Sequence, residues 1–367
     1  MNAPLASAGR ELRSGGARIA GVVSCVPARE IANDAFAERF GEAAVRDVVK
    51  MIGVERRRLA AAGETAGDLC RAAGAHLLRG LGWRADEVDA VLFVSQTPDY
   101  RLPGTAFVLQ AAWGLPAASI ALDINLGCSG YPQALWLGMN LIRSGAARRV
   151  LLAVGDTISK LVDPDDRATA LLFGDAGTVT ALEADPEAED AVFVIGSDGS
   201  GVPNLIVPGG GCRETGSASA SADGSAGAAP EADPRLAGRS RAHLFMDGGE
   251  IFNFTLRRIP PLVARTLELA GHGVPDHDAF LFHQANLFML KHLAKKAGLP
   301  GERVPVNLTT YGNTSCASIP LLMTTELREA LATRRQRLAM FGFGVGYSWA
   351  SASLVTGPLA VVDTIEP

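Results

Sequence analysis

The amino-acid sequence predicts an α/β protein made of two similar βα halves, and three observations predict it. Short β-rich apolar runs, "AVLFVS" at 90–95, "VLLAVG" at 150–155 and "AFLFHQ" at 279–284, alternate with amphipathic stretches of helical length. The run "DAVLFVSQT" from Asp89 has a counterpart in "DAFLFHQAN" from Asp278, 189 positions later. "RRVLLAVG" from Arg148 and "QRLAMFGFG" from Gln336 line up at nearly the same spacing. Buried strands resemble one another easily, so chance likeness is the competing explanation; two matches at one spacing favour a duplication.

Taken in chain order, residues 1–16 are polar, small and Gly-rich, which predicts a flexible tail, with ordered structure from Ala17. Residues 17–186 form the first expected half and 187–367 the second. In the first half, "ASIALDIN" reads as a strand and "YPQALWLGMNLIRSG" as a helix, leaving Gly127, Cys128, Ser129 and Gly130 in the turn between them. The unpaired N–H groups and dipole at a helix N-terminus favour negative charge, so Cys128 is a candidate nucleophile with a lowered thiol pKa. A small core cysteine explains that position equally well on its own.

In the second half, residues 208–241 lack large apolar side chains and read as a long mobile surface insertion, either a tolerated loop or a lid. "LFHQAN" at 281–286 puts His283 at the end of an apolar strand. "TTYGNTSCASIP" at 309–320 puts Asn313 after Gly312 and ahead of a small-residue run that starts a helix. Sites in parallel α/β sheets gather at such strand ends, and three chemically apt residues at three similar junctions point to one site. The glycine-punctuated "MFGFGVGYSW" at 340–349 precedes strand-like sequence rather than a helix, which argues against a dinucleotide loop. Its backbone suits donation of an N–H to an oxyanion.

Composition narrows the classes further. The chain has 367 residues, 48% of them hydrophobic, and a formal net charge of -5, so neither nucleic acid nor an anionic membrane is an expected partner. Cys25, Cys70, Cys128, Cys212 and Cys316 are scattered and lack CxxC spacing, which favours neither disulfides nor a metal site and fits a reducing cytoplasm. No signal-peptide core and no apolar span of membrane length is legible.

"DINLGCSGY", "DPDDRATALLFGDAG" (163–177), "HQAN", "YGNTSCASIP" and "FGFGVGYSW" occur in the order and rough spacing of the β-ketoacyl-acyl-carrier-protein synthase III family, which the chain resembles from about residue 17 to 356. The resemblance implies a thiolase-like fold with duplicated halves in a five-layer αβαβα arrangement. It implies that Cys128 accepts an acyl group from a thioester, with the backbone N–H groups of Cys128 and Val345 as oxyanion hole. His283 and Asn313 would bind the carbonyl of a malonyl thioester during a decarboxylative condensation that yields a 3-oxoacyl thioester. Asn286 and Arg167 would contact the pantetheine or coenzyme A portion, and Phe343 would lie at the substrate site. Leu102, in "YRLPGTAF", would line the partner's acyl pocket in a homodimer.

Lys291 and Lys295, four apart in "KHLAKKAG", with Lys296 beside them, would dock an acidic acyl carrier protein. A solvated helix face gives the same pattern. The substrates would be acyl-coenzyme A or phosphopantetheine-carried thioesters, with no tightly bound cofactor and no metal. Departures from the housekeeping pattern are Asp47 and Met51 where those members carry a tryptophan and an arginine, Phe288 for a basic docking residue, Val345 for a glycine, and the long insertion. They indicate a specialised member in a fatty acid or polyketide-type pathway. The alternative is an acyltransferase that passes the acyl group to a hydroxyl or amine. A cysteine peptidase is disfavoured by the missing CGSC[WY] sequence, and thiolase chemistry by the lack of a second cysteine in the final glycine turn.

Overall fold

In the computed structural model, residues 8–214 and 233–367 are described. Eleven strands form two main sheets: β1 (Arg10–Ser14), β2 (Ala17–Cys25), β3 (Ala90–Val94), β4 (Ile120–Ile124), β5 (Arg149–Asp156), β6 (Ala176–Ala184), β7 (Ala191–Ser197), β8 (Ala279–Phe282), β9 (Gln336–Gly344), β10 (Ser348–Thr356) and β11 (Val361–Ile365). The first sheet has the order β11-β2-β6-β5-β3-β4, the second β1-β7-β10-β9-β8. The duplication is visible in the pairing. β3 runs parallel to β5 with Ala90 opposite Val150, and β8 runs parallel to β9 with Ala279 opposite Leu338. An antiparallel strand follows on the far side in each sheet, β6 beside β5 and β10 beside β9.

Seven helices fix the layers: α1 (Glu42–Ile52), α2 (Ala66–Leu81), α3 (Thr105–Ala112), α4 (Gly130–Arg143), α5 (Gly248–Ala270), α6 (Leu287–Lys296) and α7 (Ser318–Thr324). β3 is buried at every position, which explains why it reads as a continuous apolar run instead of an alternating one. Its side chains still alternate in direction: Leu92 faces the middle of the molecule, whereas Val91 and Phe93 face outward. The middle layer is α4 and α7, whose Leu135, Met139, Ile319 and Leu322 pack between the sheets against Leu152, Leu281 and Met340. Leu69, Ala73 and Leu77 of α2 cover the first sheet, and Phe254 and Leu262 of α5 with Leu290 and Leu293 of α6 cover the second. The result is helix, sheet, helix, sheet, helix: the expected five-layer, thiolase-like arrangement.

Two boundary expectations are corrected. Residues 10–14 of the expected 1–16 tail form β1, paired antiparallel with β7, because Leu12 and Ser14 find partners on a sheet edge that local composition does not reveal. The halves at 17–186 and 187–367 also exchange their ends. β1 belongs to the second sheet and β11 to the first, where it lies parallel to β2. Of the insertion at 208–241, residues 215–232 lie outside the described residues. Its flanks are tied together: Gly209 N–H donates to the Arg241 carbonyl at 2.6 Å, and Arg241 Nε to Glu214 at 2.7 Å. Arg239 reaches Asp166 at 3.2 Å. Among the described residues, no helix is long and apolar enough to cross a membrane.

Candidate active site

Cys128 sits in the turn between β4 and α4, where the Gly130 N–H closes back onto the Gly127 carbonyl at 2.7 Å. It is 8% exposed. The end of β9 passes directly over it: a Cβ placed on Gly344 would lie 2.8 Å from the Cys128 Cβ and 2.9 Å from its sulfur, so only glycine fits there. This approach brings the backbone N–H of Val345 to the sulfur, alongside the N–H of Cys128 itself. Two backbone N–H donors thus converge beside the sulfur.

The expectation of a lowered thiol pKa is corrected. Burial pushes the Cys128 thiol up to about 12, and the negative charge of Asp156 pushes in the same direction; the Ser315 hydroxyl and the two N–H groups only partly offset this. Withdrawal of a thiolate from water outweighs a helix terminus here. Nor does an imidazolium stand by, because burial depresses His283 to about 3 and keeps it neutral.

His283 follows β8, its N–H donating to the Phe341 carbonyl at 2.8 Å. Its ring stands edge-on to Phe343 at 5.6 Å, and Nδ1 lies 2.8 Å from Ser318 Oγ. Phe343 is therefore a buried support for the imidazole. Asn313 is held by backbone bonds to the 172–174 loop, its N–H to the Leu172 carbonyl at 2.9 Å and its carbonyl from the Gly174 N–H at 3.1 Å. Gly312, with φ +68°, makes the turn, and a side chain there would strike the Leu172 carbonyl and Arg57. Asn313 Oδ1 accepts the Ser315 N–H at 2.9 Å, which leaves its NH₂ as the free side of the carboxamide.

Ser315 connects the three. Its N–H holds Asn313, its hydroxyl lies 4.0 Å from the Cys128 sulfur, and its carbonyl lies beside the His283 ring. Among the described residues it is the one non-glycine residue with a positive φ, +52°, a conformation that costs about 1–2 kcal/mol and that three simultaneous contacts hold in place.

Sequence reasoning missed Ser315, Ser318, Asp156 and Arg57. Asp156, buried, accepts from Ser95 Oγ at 2.9 Å, from the Gln96 N–H at 2.7 Å and from the Cys316 thiol at 3.2 Å. Arg57, also buried, braces the Asn313 loop from behind through Asn33 Oδ1 at 2.9 Å and the Phe173 carbonyl at 3.0 Å. The small polar run after Asn313 was the available signal for the two serines; the other two left none.

The remaining expected residues lie outside this cluster. Asn286 caps α6, its Oδ1 accepting the Met289 N–H at 2.8 Å. Arg167 is exposed at the start of a short helix capped by Asp166. Leu102 is 83% exposed, and Lys291, Lys295 and Lys296 are exposed on α6. Among the described residues, no cluster of three or more His, Cys, Asp or Glu side chains is arranged to hold a metal ion.

Fold and site together define a thiolase-fold protein with a Cys-His-Asn centre. Residues 122–199 match the family model for 3-oxoacyl-[acyl-carrier-protein] synthase III, and 267–356 match the model for its C-terminal part. A β-ketoacyl-[acyl-carrier-protein] synthase III of Roseiflexus castenholzii is 34% identical over 92% of this chain and 97% of its own length. One from Streptomyces coelicolor is 33% identical over 93% and 94%. The crystal structure of a 3-oxoacyl-(acyl-carrier protein) synthase from Burkholderia xenovorans is 67% identical, with a TM-score of 0.93 over 98% of this chain and 99% of that one. A priming β-ketosynthase of a polyketide biosynthetic pathway is 25% identical, with a TM-score of 0.77 over 94% and 97%. The chain belongs to the β-ketoacyl-acyl-carrier-protein synthase III family.

Proposed function

We propose that the protein condenses an acyl group carried on Cys128 with a malonyl thioester, supplied on an acyl carrier protein, in a specialised fatty acid or polyketide-type pathway. In the loading step the Cys128 sulfur attacks the donor thioester carbon, and the carbonyl oxygen moves into the N–H pair of Cys128 and Val345. The donor C–S bond breaks, and its sulfur leaves carrying the proton that the thiol gave up. In the second step the malonyl thioester carbonyl accepts hydrogen bonds from His283 and Asn313. The bond to its carboxylate breaks, carbon dioxide leaves, and the electron pair becomes an enolate whose charge the two neutral donors stabilise. The enolate carbon attacks the acyl carbonyl, the bond to Cys128 breaks, and the sulfur regains a proton from solvent.

One observation carries this reading: Ser315 touches Cys128 and Asn313 and lies against His283, joining nucleophile and donors around the proposed reaction chamber. Intact-protein mass spectrometry with a panel of acyl thioesters tests it. Wild-type protein gains one acyl mass, Cys128→Ala gains none, and the released product is two carbons longer than the starter. A product with the acyl group on oxygen or nitrogen, and no added carbon, favours simple acyl transfer instead.

Asn286 and Arg167 are assigned to the pantetheine and nucleotide end of the substrate, and Lys291, Lys295 and Lys296 to carrier docking. For a homodimer, the supporting feature is the free edge of the first sheet: β4 exposes Ile120 and Leu122, and Phe107 and Leu102 lie exposed nearby in sequence. Such an apolar edge calls for a partner.

A further inference from the structure

The condensing role needs His283 to present an N–H, not a lone pair, to the chamber. A neutral imidazole carries one N–H, and the hydrogen bond at its other nitrogen decides where that proton sits. Two polar groups meet the ring, and one of them meets it at Nδ1. Nδ1 lies 2.8 Å from Ser318 Oγ, the Ser315 carbonyl lies within hydrogen-bond reach of the ring, and Ser318 Oγ lies 2.9 Å from that carbonyl. The Ser318 hydroxyl has a single proton and two acceptors to choose between. The Ser315 carbonyl also accepts the backbone N–H of Ser318, so it keeps a partner when the hydroxyl turns its proton to Nδ1.

We infer that Ser318 is a positioning residue whose hydroxyl donates to Nδ1 of His283 and thereby fixes the ring proton on Nε2, the nitrogen left to face a bound carbonyl. Without that hydroxyl, Nδ1 has no donor to accept from, and the polar group left against the ring is the Ser315 carbonyl. A carbonyl accepts and never donates, so the ring moves its proton to Nδ1 and turns a lone pair toward the chamber. The imidazole has other supports, the edge of Phe343 and the backbone bond to Phe341, so its tautomer can change while its place does not. A charged ring, which would donate from both nitrogens, is ruled out by burial. Neutral tautomers are the only choice, and one buried oxygen makes it.

The inference rests on the condensing role given above, and its test separates the two. The protein has six histidines, so ¹⁵N-histidine labelling gives a short spectrum in which the His283 signals are identified by their loss in His283→Asn. In wild type the proton is expected on Nε2; in Ser318→Ala it is expected on Nδ1. In the same variant, malonyl decarboxylation falls on the order of 100-fold, the loss that follows removal of one oxyanion donor. Acyl loading of Cys128 stays within about twofold, because that step uses the backbone donors instead. A wild-type ring protonated on Nδ1, or a Ser318→Ala ring still protonated on Nε2, overturns the inference. Equal losses in loading and decarboxylation overturn it too. If Ser318→Ala does not fold, the wild-type spectrum decides alone. A tautomer that shifts in a protein unable to condense leaves the positioning role standing and removes the condensing one.

Discussion

Gly344→Ala tests whether the close passage of β9 over the nucleophile shapes the site. The new Cβ would sit 2.8 Å from the Cys128 Cβ and 2.9 Å from Sγ, where ordinary contact begins at 3.4 Å. Relief requires the sulfur or the Gly344–Val345 backbone to move by about 0.6 Å, and the densely packed interior on both sides resists that shift. The same movement carries the Val345 N–H out of line with the oxyanion it is assigned to hold. Misplacement on this scale costs on the order of 100-fold in rate, or about 2.7 kcal/mol of barrier. The assay is the single-turnover rate of acyl loading on Cys128, read by intact mass, with thermal unfolding as control. Loading is expected to fall about 100-fold while the melting temperature changes by only a few degrees. Unchanged loading in a folded variant would refute the idea that this contact sets the pocket.

Asn313→Ala should keep normal acyl loading and lose carbon dioxide release, measured with radiolabelled malonyl carrier protein; equal effects on both steps would contradict its assignment to the enolate. With its thiol held up near 12, Cys128 in the free enzyme is protonated at neutral pH, so its alkylation by iodoacetamide should be slow at pH 7 and rise with pH toward that value. The exposed Cys212 serves as internal comparison by peptide mapping, and a Cys128 reactivity midpoint below pH 8 would contradict the burial-driven rise of its thiol. Reversing charge at Lys291 and Lys295 together should raise KM for the malonyl carrier about tenfold at low salt, less at high salt, and leave kcat alone. A salt-independent effect would argue against docking at that helix face.

The three residues that the structure gathers around Ser315 were legible because each occupies a junction whose flanks announce it: Cys128 between glycines after an apolar run, His283 at a strand end, Asn313 after Gly312. The layered fold was legible through repeated strands, since buried parallel strands carry their apolar pattern in consecutive letters. Other features depend on distant partners. β1 looks like tail because its strand identity comes from β7, far along the chain. Arg57 sits in "ERRRL", where nothing distinguishes the one arginine that is buried from its exposed neighbour Arg56. The state of the thiol was misjudged for a related reason. The favourable helix terminus is local and visible, whereas the loss of water around the sulfur comes from β9 and the 313–318 segment folding over it.

The exchange of end strands has a consequence for how the molecule is made. The first sheet contains most of the N-terminal half, yet its β2 flank stays uncovered until residues 361–365 have been synthesised and laid alongside it. Throughout translation, a growing polypeptide therefore carries a ready template for pairing with other extended segments. Severing the chain near residue 187 would not yield two self-sufficient pieces, because each would lack a border strand that the other holds. The duplicated halves are thus interlocked through their end strands.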